Sequence, residues 1–378
     1  MSLFKNLGIT CLLIGAMVAG KSSFAEDTSI GAVFALSGPS SVYGEVYMTG
    51  TNLAVQHANE DKLLNGKLSI VYEDGQALPQ RSVIGMNKLV NVEKVPFVMV
   101  SFSGVSKAVS SISAQTKTVT INAGGGSAEL SGLGPYFWNV TPLTNIEVRA
   151  LVPYLVKERN LKRFVLVYVD DPAGEAIRRE IANNLPPIGG ELVTSFSVPV
   201  ASQQFGSIAA KVREAKPDVV YIASYGAQQQ SIIKQLRDNG VTQQIASYSG
   251  FTMPEIHALP EARGAIYTTP SVDWKAQDPV TKRFMQDYKA KYNKSPNFYS
   301  ANYYNAVRLF TLLADGLQKN GKPITGENLL AQRLQTKSFD FVGGKVTFAE
   351  NGTVITPPME INEVDGKGGK LLTIVQAR

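Results

Sequence analysis

The sequence predicts an α/β protein of two similar lobes, each a doubly wound parallel sheet covered by helices on both faces. Three observations lead there. Short runs rich in Val, Ile and Phe alternate with longer segments of helical period. The alternation restarts after "NVTPLTN" at 139 to 145. With 378 residues, 44% apolar and 18% charged, the chain is long enough for two domains with real cores.

At the N-terminus Lys5 precedes the apolar run at 7 to 20, and "KSSFA" follows, with Ser23 and Ala25 at the small-residue positions of a signal-peptidase site. Residues 1–25 read as a signal peptide cleaved after Ala25, which implies export to the periplasm. The run is short of the about 20 residues of a membrane span, and "GITC" is a poor lipoprotein box. Cys11 is the only cysteine, so the mature chain has no disulfide, thiolate nucleophile or cysteine metal site. Without Lys5 and Lys21 the basic residues number 35 against 31 acidic ones, a net +4. They form no basic run, so nucleic acid is excluded as a partner.

Strands are expected at 29 to 36, 68 to 74, 95 to 102 and 117 to 123. Between them lie helices from Tyr43 to Asn59 and from Gln80 to Val92, the latter with Val83, Met86 and Val90 on one face. The second series of strands is 163 to 170, 191 to 198, 218 to 225, 243 to 249 and 264 to 270. Helices near 278 to 292 and 298 to 319 follow, and then a tail whose Gly-Gly and Asn-Gly pairs bracket short β segments.

Catalytic readings fail on residue type. Gly124 and Gly126 begin a dinucleotide fingerprint, but Glu129 holds its third place and no P-loop lysine follows. Only His57 and His257 exist, there is no Gly-x-Ser-x-Gly elbow, and no histidine pair has metal-binding spacing. Asp170-Asp171 at a strand end reads as a turn or helix cap. The expectation is a protein that is no enzyme and holds no metal or cofactor.

Ligands of open parallel sheets bind outside the carboxyl ends of the strands. In the first lobe the loops at 37 to 45, 75 to 79, 103 to 106 and 123 to 127 meet that condition. Ser103 is placed as a helix N-cap, and Gly124, Gly125 and Gly126 can take positive φ and turn successive N–H groups into an anion nest. A plain helix cap and a flexible surface loop are the alternatives.

The stretches "IGAVFALSGPSSVYGE", "VMVSFSGVSKAV", "TINAGGGSAELS" and "GGKVTFAENG" resemble the type I periplasmic binding proteins, nearest the leucine/isoleucine/valine-binding branch that serves branched-chain amino-acid ABC importers. The resemblance covers the mature chain. It implies two lobes joined by three crossovers, near Pro142, Pro270 to Trp274 and Gly344 to Thr356. The first lobe is then 26–142 plus 272–345 and the second 143–271 plus 346–378, with the cleft between them. By the same resemblance Ser103 and Gly124 to Gly126 hold a ligand carboxylate, Tyr43 and Tyr225 pack on the ligand, and the partners of a monomer are the importer's permease and ATPase.

Two departures bear on the ligand. Ser249 aligns where amino-acid binders of the family place a glutamate for the α-ammonium group, and Ala173 stands in place of an aromatic residue. The expected ligand is a branched-chain or related amino acid, with Asp170 or Asp171 as substitute acid. The alternative is an aromatic or 2-oxo acid without ammonium, against Tyr43, Phe102, Tyr225 and Phe251, or a role as input receptor for signalling.

Overall fold

The computed structural model describes residues 27–376, so the expected signal peptide lies outside the described residues. In the first lobe β1 (Thr28–Phe34), α1 (Ser41–Glu60), β2 (Leu68–Asp74), α2 (Pro79–Asn91), β3 (Phe97–Val100), α3 (Ser103–Thr116), β4 (Val119–Asn122) and β5 (Phe137–Asn139) follow in order. Their sheet runs β2-β1-β3-β4-β5 with all neighbours parallel. Helices on both faces leave β3, "FVMV", and β4, "VTIN", buried at every residue. The three-residue β5 is too short for periodicity to reveal, and the sequence reading missed it.

The second lobe has α4 (Thr144–Pro153), β6 (Arg163–Val169), α5 (Pro172–Asn184), β7 (Glu191–Val198), α6 (Gly206–Ala215), β8 (Val219–Ala223), α7 (Gly226–Asp238), β9 (Gln244–Ser247), α8 (Pro254–His257) and β10 (Ile266–Pro270). The chain then returns to the first lobe with α9 (Pro279–Tyr292), α10 (Phe298–Lys319) and α11 (Gly326–Thr336), followed by the hairpin β11 (Ser338–Phe341) and β12 (Gly344–Thr347). Finally β13 (Met359–Glu363) and β14 (Lys370–Val375) add antiparallel to β10, giving the order β14-β13-β10-β9-β8-β6-β7.

Helix α10 is buried along most of its length and lies against α1. The contact is backbone-close: a Cβ on Gly50 would stand 2.1 Å from the Ser300 carbonyl oxygen. Asn297 caps α10 by accepting from Ser300 N–H at 3.0 Å, which fixes where the helix starts and so where Tyr299 and Tyr303 project.

The expected boundary at 345 is corrected. Asn139 N–H donates to Gly352 O at 2.9 Å and Val354 N–H to Asn139 O at 3.0 Å, so residues through Val354 extend the β5 edge of the first sheet. Buried Arg333 holds that return in place, donating to the carbonyls of Ala349 and Glu350 at 3.1 Å while its guanidinium lies 4.9 Å from the Trp138 ring. The third passage between lobes therefore falls at 355–358, where Pro357 and Pro358 remove two backbone donors.

Candidate functional site

A cavity of about 30 Å³ lies between the closed lobes, far below the ~300–1,000 Å³ of small-molecule sites, so a ligand enters only as the lobes part. Residues following the strands line it: Phe102 and Ser103 after β3, Gly124 to Gly126 after β4, Ala173 after β6, Tyr225 after β8 and Tyr248 after β9. Tyr43 and Tyr47 of α1, Tyr299 of α10 and Thr144 at the start of α4 complete the wall. The lobes are closed on one another. Ala227 N–H reaches Pro39 O at 3.3 Å, the Phe102 and Tyr225 rings are 5.2 Å apart, and Arg179 of α5 pairs at 2.8 Å with Glu129, which also meets Lys107.

Ser103 is not a helix cap. Phe102 occupies the cap position at φ +61°, a conformation rare for a bulky residue, and this places its ring between Tyr43 and Tyr225. Ser103 is the first residue of α3, and its Oγ accepts from the N–H groups of Gly126 at 3.1 Å and Ser127 at 2.9 Å. Among the described residues its own proton meets no acceptor, so it is available to the cleft.

The expected positive φ at the three glycines is also corrected: none of them has it. Their N–H groups are already bound, those of Gly124 and Gly125 by Asn122 Oδ1 at 3.2 and 2.6 Å and that of Gly126 by Ser103. Glycine is required by crowding. A Cβ on Gly124 would lie 2.7 Å from Ser101 Oγ, and one on Gly126 only 2.3 Å from Thr144 Cγ2. Thr144, from the opposite lobe, donates both its N–H (2.7 Å) and its hydroxyl (2.8 Å) to Gly126 O.

The aromatic wall is a tyrosine cluster. Tyr43 meets Phe102 at 5.8 Å and Tyr299 at 5.5 Å, and Tyr47 lies 4.1 Å from Tyr303. Among the described residues the buried Tyr43 hydroxyl has no hydrogen-bond partner, and burial pushes its pKa well up, so it remains a neutral phenol. Tyr225 precedes α7 and donates to Asp171 Oδ2 at 2.9 Å. The other Asp171 oxygen caps α5 by accepting from Gly174 N–H at 2.8 Å. Burial raises the Asp171 pKa, which disfavours its charged form, and Asp171 itself does not line the space.

Ser249 does not line the space. Its N–H and hydroxyl reach Glu147 Oε2 and Oε1 at 2.6 and 2.9 Å, and its Oγ is 3.5 Å from the Tyr299 hydroxyl. Glu147, on α4, is 2% exposed with no cation beside it, and burial lifts its pKa to about 8. Phe251 is wholly buried against Tyr267, away from the ligand space. Among the described residues no three His, Cys, Asp or Glu side chains cluster to hold a metal, and no helix is long and apolar enough to cross a membrane.

Two lobes closing strand-end loops over a small pocket suit ligand capture, and comparison with known sequences gives the family: the description "Periplasmic binding protein" matches residues 27–370. The chain belongs to the periplasmic binding protein family. The Leu/Ile/Val-binding protein of Escherichia coli strain K12 is 25% identical to it, over 92% of this chain and 94% of that one. A solute-binding protein of an ABC transporter from R. palustris, solved with benzoate, superposes with a TM-score of 0.84 at 21% identity, covering 93% of this chain and 98% of the other. A leucine-binding protein from Thermotoga maritima gives 0.82 at 21% identity, with 92% and 99% covered. The family supplies the exported solute-binding components of ABC importers, which work with permease and ATPase subunits.

In this binding protein Tyr43, Ser103, Gly124, Gly125, Gly126 and Tyr225 converge on one space, with Ser249 one layer behind it. Sequence reasoning missed Tyr47, Thr144, Glu147, Tyr248 and Tyr299. A signal existed for two of them: Tyr43 and Tyr47, and likewise Tyr299 and Tyr303, are spaced i,i+4 and so share a helix face. Glu147 carried none, since an acid in the first turn of a helix is ordinary.

Proposed function

We propose that this binding protein captures an aromatic monocarboxylate without an ammonium group between its lobes and delivers it, as a monomer and without turnover, to an ABC importer in the periplasm. One observation carries the reading: the charge character of the cleft. Helices α3, α4, α5 and α7 all begin at it, with Ser103, Thr144, Ala173 and Tyr225 in their first turns or at their caps. Their N-termini carry partial positive charge, which favours an anion. No acidic side chain lines the space, and Asp171 and Glu147 behind it have both oxygens engaged. An ammonium group enclosed there without a partner would cost several kcal/mol.

Ser103 Oγ–H supplies a donor for the carboxylate, and Tyr43, Phe102, Tyr225 and Tyr299 supply flat apolar surface for a ring. Because the walls come from both lobes, the ligand favours the closed state by touching each. Benzoate-bound and leucine-binding relatives share the fold equally, so the fold does not choose between them.

The test is a thermal-shift screen of the mature protein, followed by calorimetry, with benzoate, 4-hydroxybenzoate, phenylpyruvate, leucine, isoleucine and valine. A ligand at 100 times its Kd adds about 2.7 kcal/mol to stability. Benzoate-type acids are expected to raise the melting temperature and the aliphatic amino acids to leave it in place. Tighter binding of leucine or valine than of any aromatic acid refutes the reading and restores the branched-chain amino acid.

A further inference from the structure

We infer that Glu147 is a positioning residue whose proton, relayed through Ser249, sets whether the Tyr299 hydroxyl gives or accepts a hydrogen bond in the ligand space. The inference deepens the proposed function and, for its effect on affinity, rests on it. The geometry is a three-member chain from a buried acid to the cleft wall. Glu147 Oε1 stands 2.9 Å from Ser249 Oγ, and Ser249 Oγ stands 3.5 Å from the Tyr299 hydroxyl, with either oxygen able to donate. Ser249 N–H anchors the acid through Oε2 at 2.6 Å, so only Oε1 is free to change role.

With Glu147 neutral, Oε1–H donates to Ser249 Oγ, whose own proton then turns to the Tyr299 oxygen. That leaves the Tyr299 O–H pointing away from Ser249, a donor for a carboxylate. With Glu147 ionised, Ser249 Oγ–H is drawn to Oε1, and Tyr299 donates to Ser249. The cleft then meets an oxygen lone pair, which repels the same carboxylate. One proton on a residue outside the ligand space thus selects between anions and donors.

The groups around Glu147 leave burial as the dominant influence. Tyr221 of β8 and Tyr299 of α10 are the titratable groups facing it, and burial keeps both phenols neutral. Of the other elements packed on α4, α5 engages Glu180 with Arg149 at 2.5 Å, β13 carries Glu360 bonded to Ser271, and β10 carries Tyr267, which faces His257. None of these adds a charge effect on Glu147, whose pKa is lifted toward 8 by burial and lowered only by its bonds to Ser249.

The experiment has two readouts on the full mature chain. In ligand-free protein labelled with 13Cζ-tyrosine, the resonance absent from Tyr299→Phe is followed from pH 6 to 9.5. It is expected to move with one titration near that of Glu147, and to stay flat in Glu147→Gln and in Ser249→Ala. A flat wild-type resonance, or one that still moves in Ser249→Ala, overturns the relay. In calorimetry, benzoate is ionised over this whole range, and its Kd is expected to rise about tenfold or more with pH in the wild type, the scale of one hydrogen bond to a charge. Glu147→Gln, whose amide donates as the neutral acid does, should hold the tight value throughout; a Kd in Glu147→Gln that rises as in the wild type overturns the inference. Absence of benzoate binding at every pH counts against the proposed function, while the tyrosine resonance decides the relay by itself.

Discussion

Replacing Ser103 with alanine removes one hydroxyl that serves both the scaffold and the ligand. Ser103 is 1% exposed, and its Oγ is the acceptor for two N–H groups, those of Gly126 at 3.1 Å and Ser127 at 2.9 Å. A buried donor left without a partner costs about 1–3 kcal/mol, so two of them set a loss of about 2–6 kcal/mol, with the lower half expected because a glycine loop relaxes. At roughly 2–4 °C per kcal/mol for a domain of this size, the ligand-free melting temperature should fall by about 5–10 °C. Affinity for a carboxylate ligand should fall by less than a full charged hydrogen bond, about tenfold, because the two released N–H groups can turn to the carboxylate in place of the hydroxyl. Differential scanning fluorimetry without ligand and calorimetry with ligand separate the two effects. An unchanged ligand-free melting temperature would refute the scaffold role, and unchanged affinity would refute the ligand role.

Two further outcomes test closure and the buried acid. Gly126→Ala puts a methyl 2.3 Å from Thr144 Cγ2 of the other lobe, so the lobes should fail to close; small-angle scattering should show an expanded particle and affinity should drop at least tenfold, with Thr144→Ser restoring both by removing the clashing methyl. Glu147 has its folded pKa raised from 4.5 to about 8, so as pH rises the unfolded chain loses this proton first, and stability falls progressively between those values and levels off above them. The melting temperature of Glu147→Gln relative to wild type should therefore climb from pH 5 to 8; parallel curves would show that Glu147 ionises normally.

Much of the fold was legible because its signals are local. The nine expected strands appear within a few residues of their places, since a parallel sheet covered on both faces demands continuous apolar runs such as "FVMV" and "VVYIA". The return of α10 to the first lobe came from resemblance, and the extent of the last return did not come at all. Residues 346–354 carry no strong pattern, and their place beside β5 depends on Arg333 and Asn139, more than a dozen residues away in sequence.

For the site, the sequence by itself determined the chemistry on offer: one cysteine, Cys11, two histidines and tyrosines at helical spacing; the family resemblance added a serine where an ammonium-binding acid was expected. Of the four loops expected at the cleft from the carboxyl-end rule, those at 37 to 45, 103 to 106 and 123 to 127 contribute residues to the space, while the loop at 75 to 79 contributes none. Only the tertiary structure decided how those groups are used. The glycines at 124–126 are small because Ser101 and Thr144 crowd them, and their N–H groups answer to Asn122 and Ser103. Glu147 becomes a buried acid only because α4 of one lobe lies against Ser249, with Tyr299 of the other lobe beside that serine. Desolvation and close approach are properties of residues distant in sequence and adjacent in space, so a linear reading names the side chains while the packing sets their charge, their partners and their room.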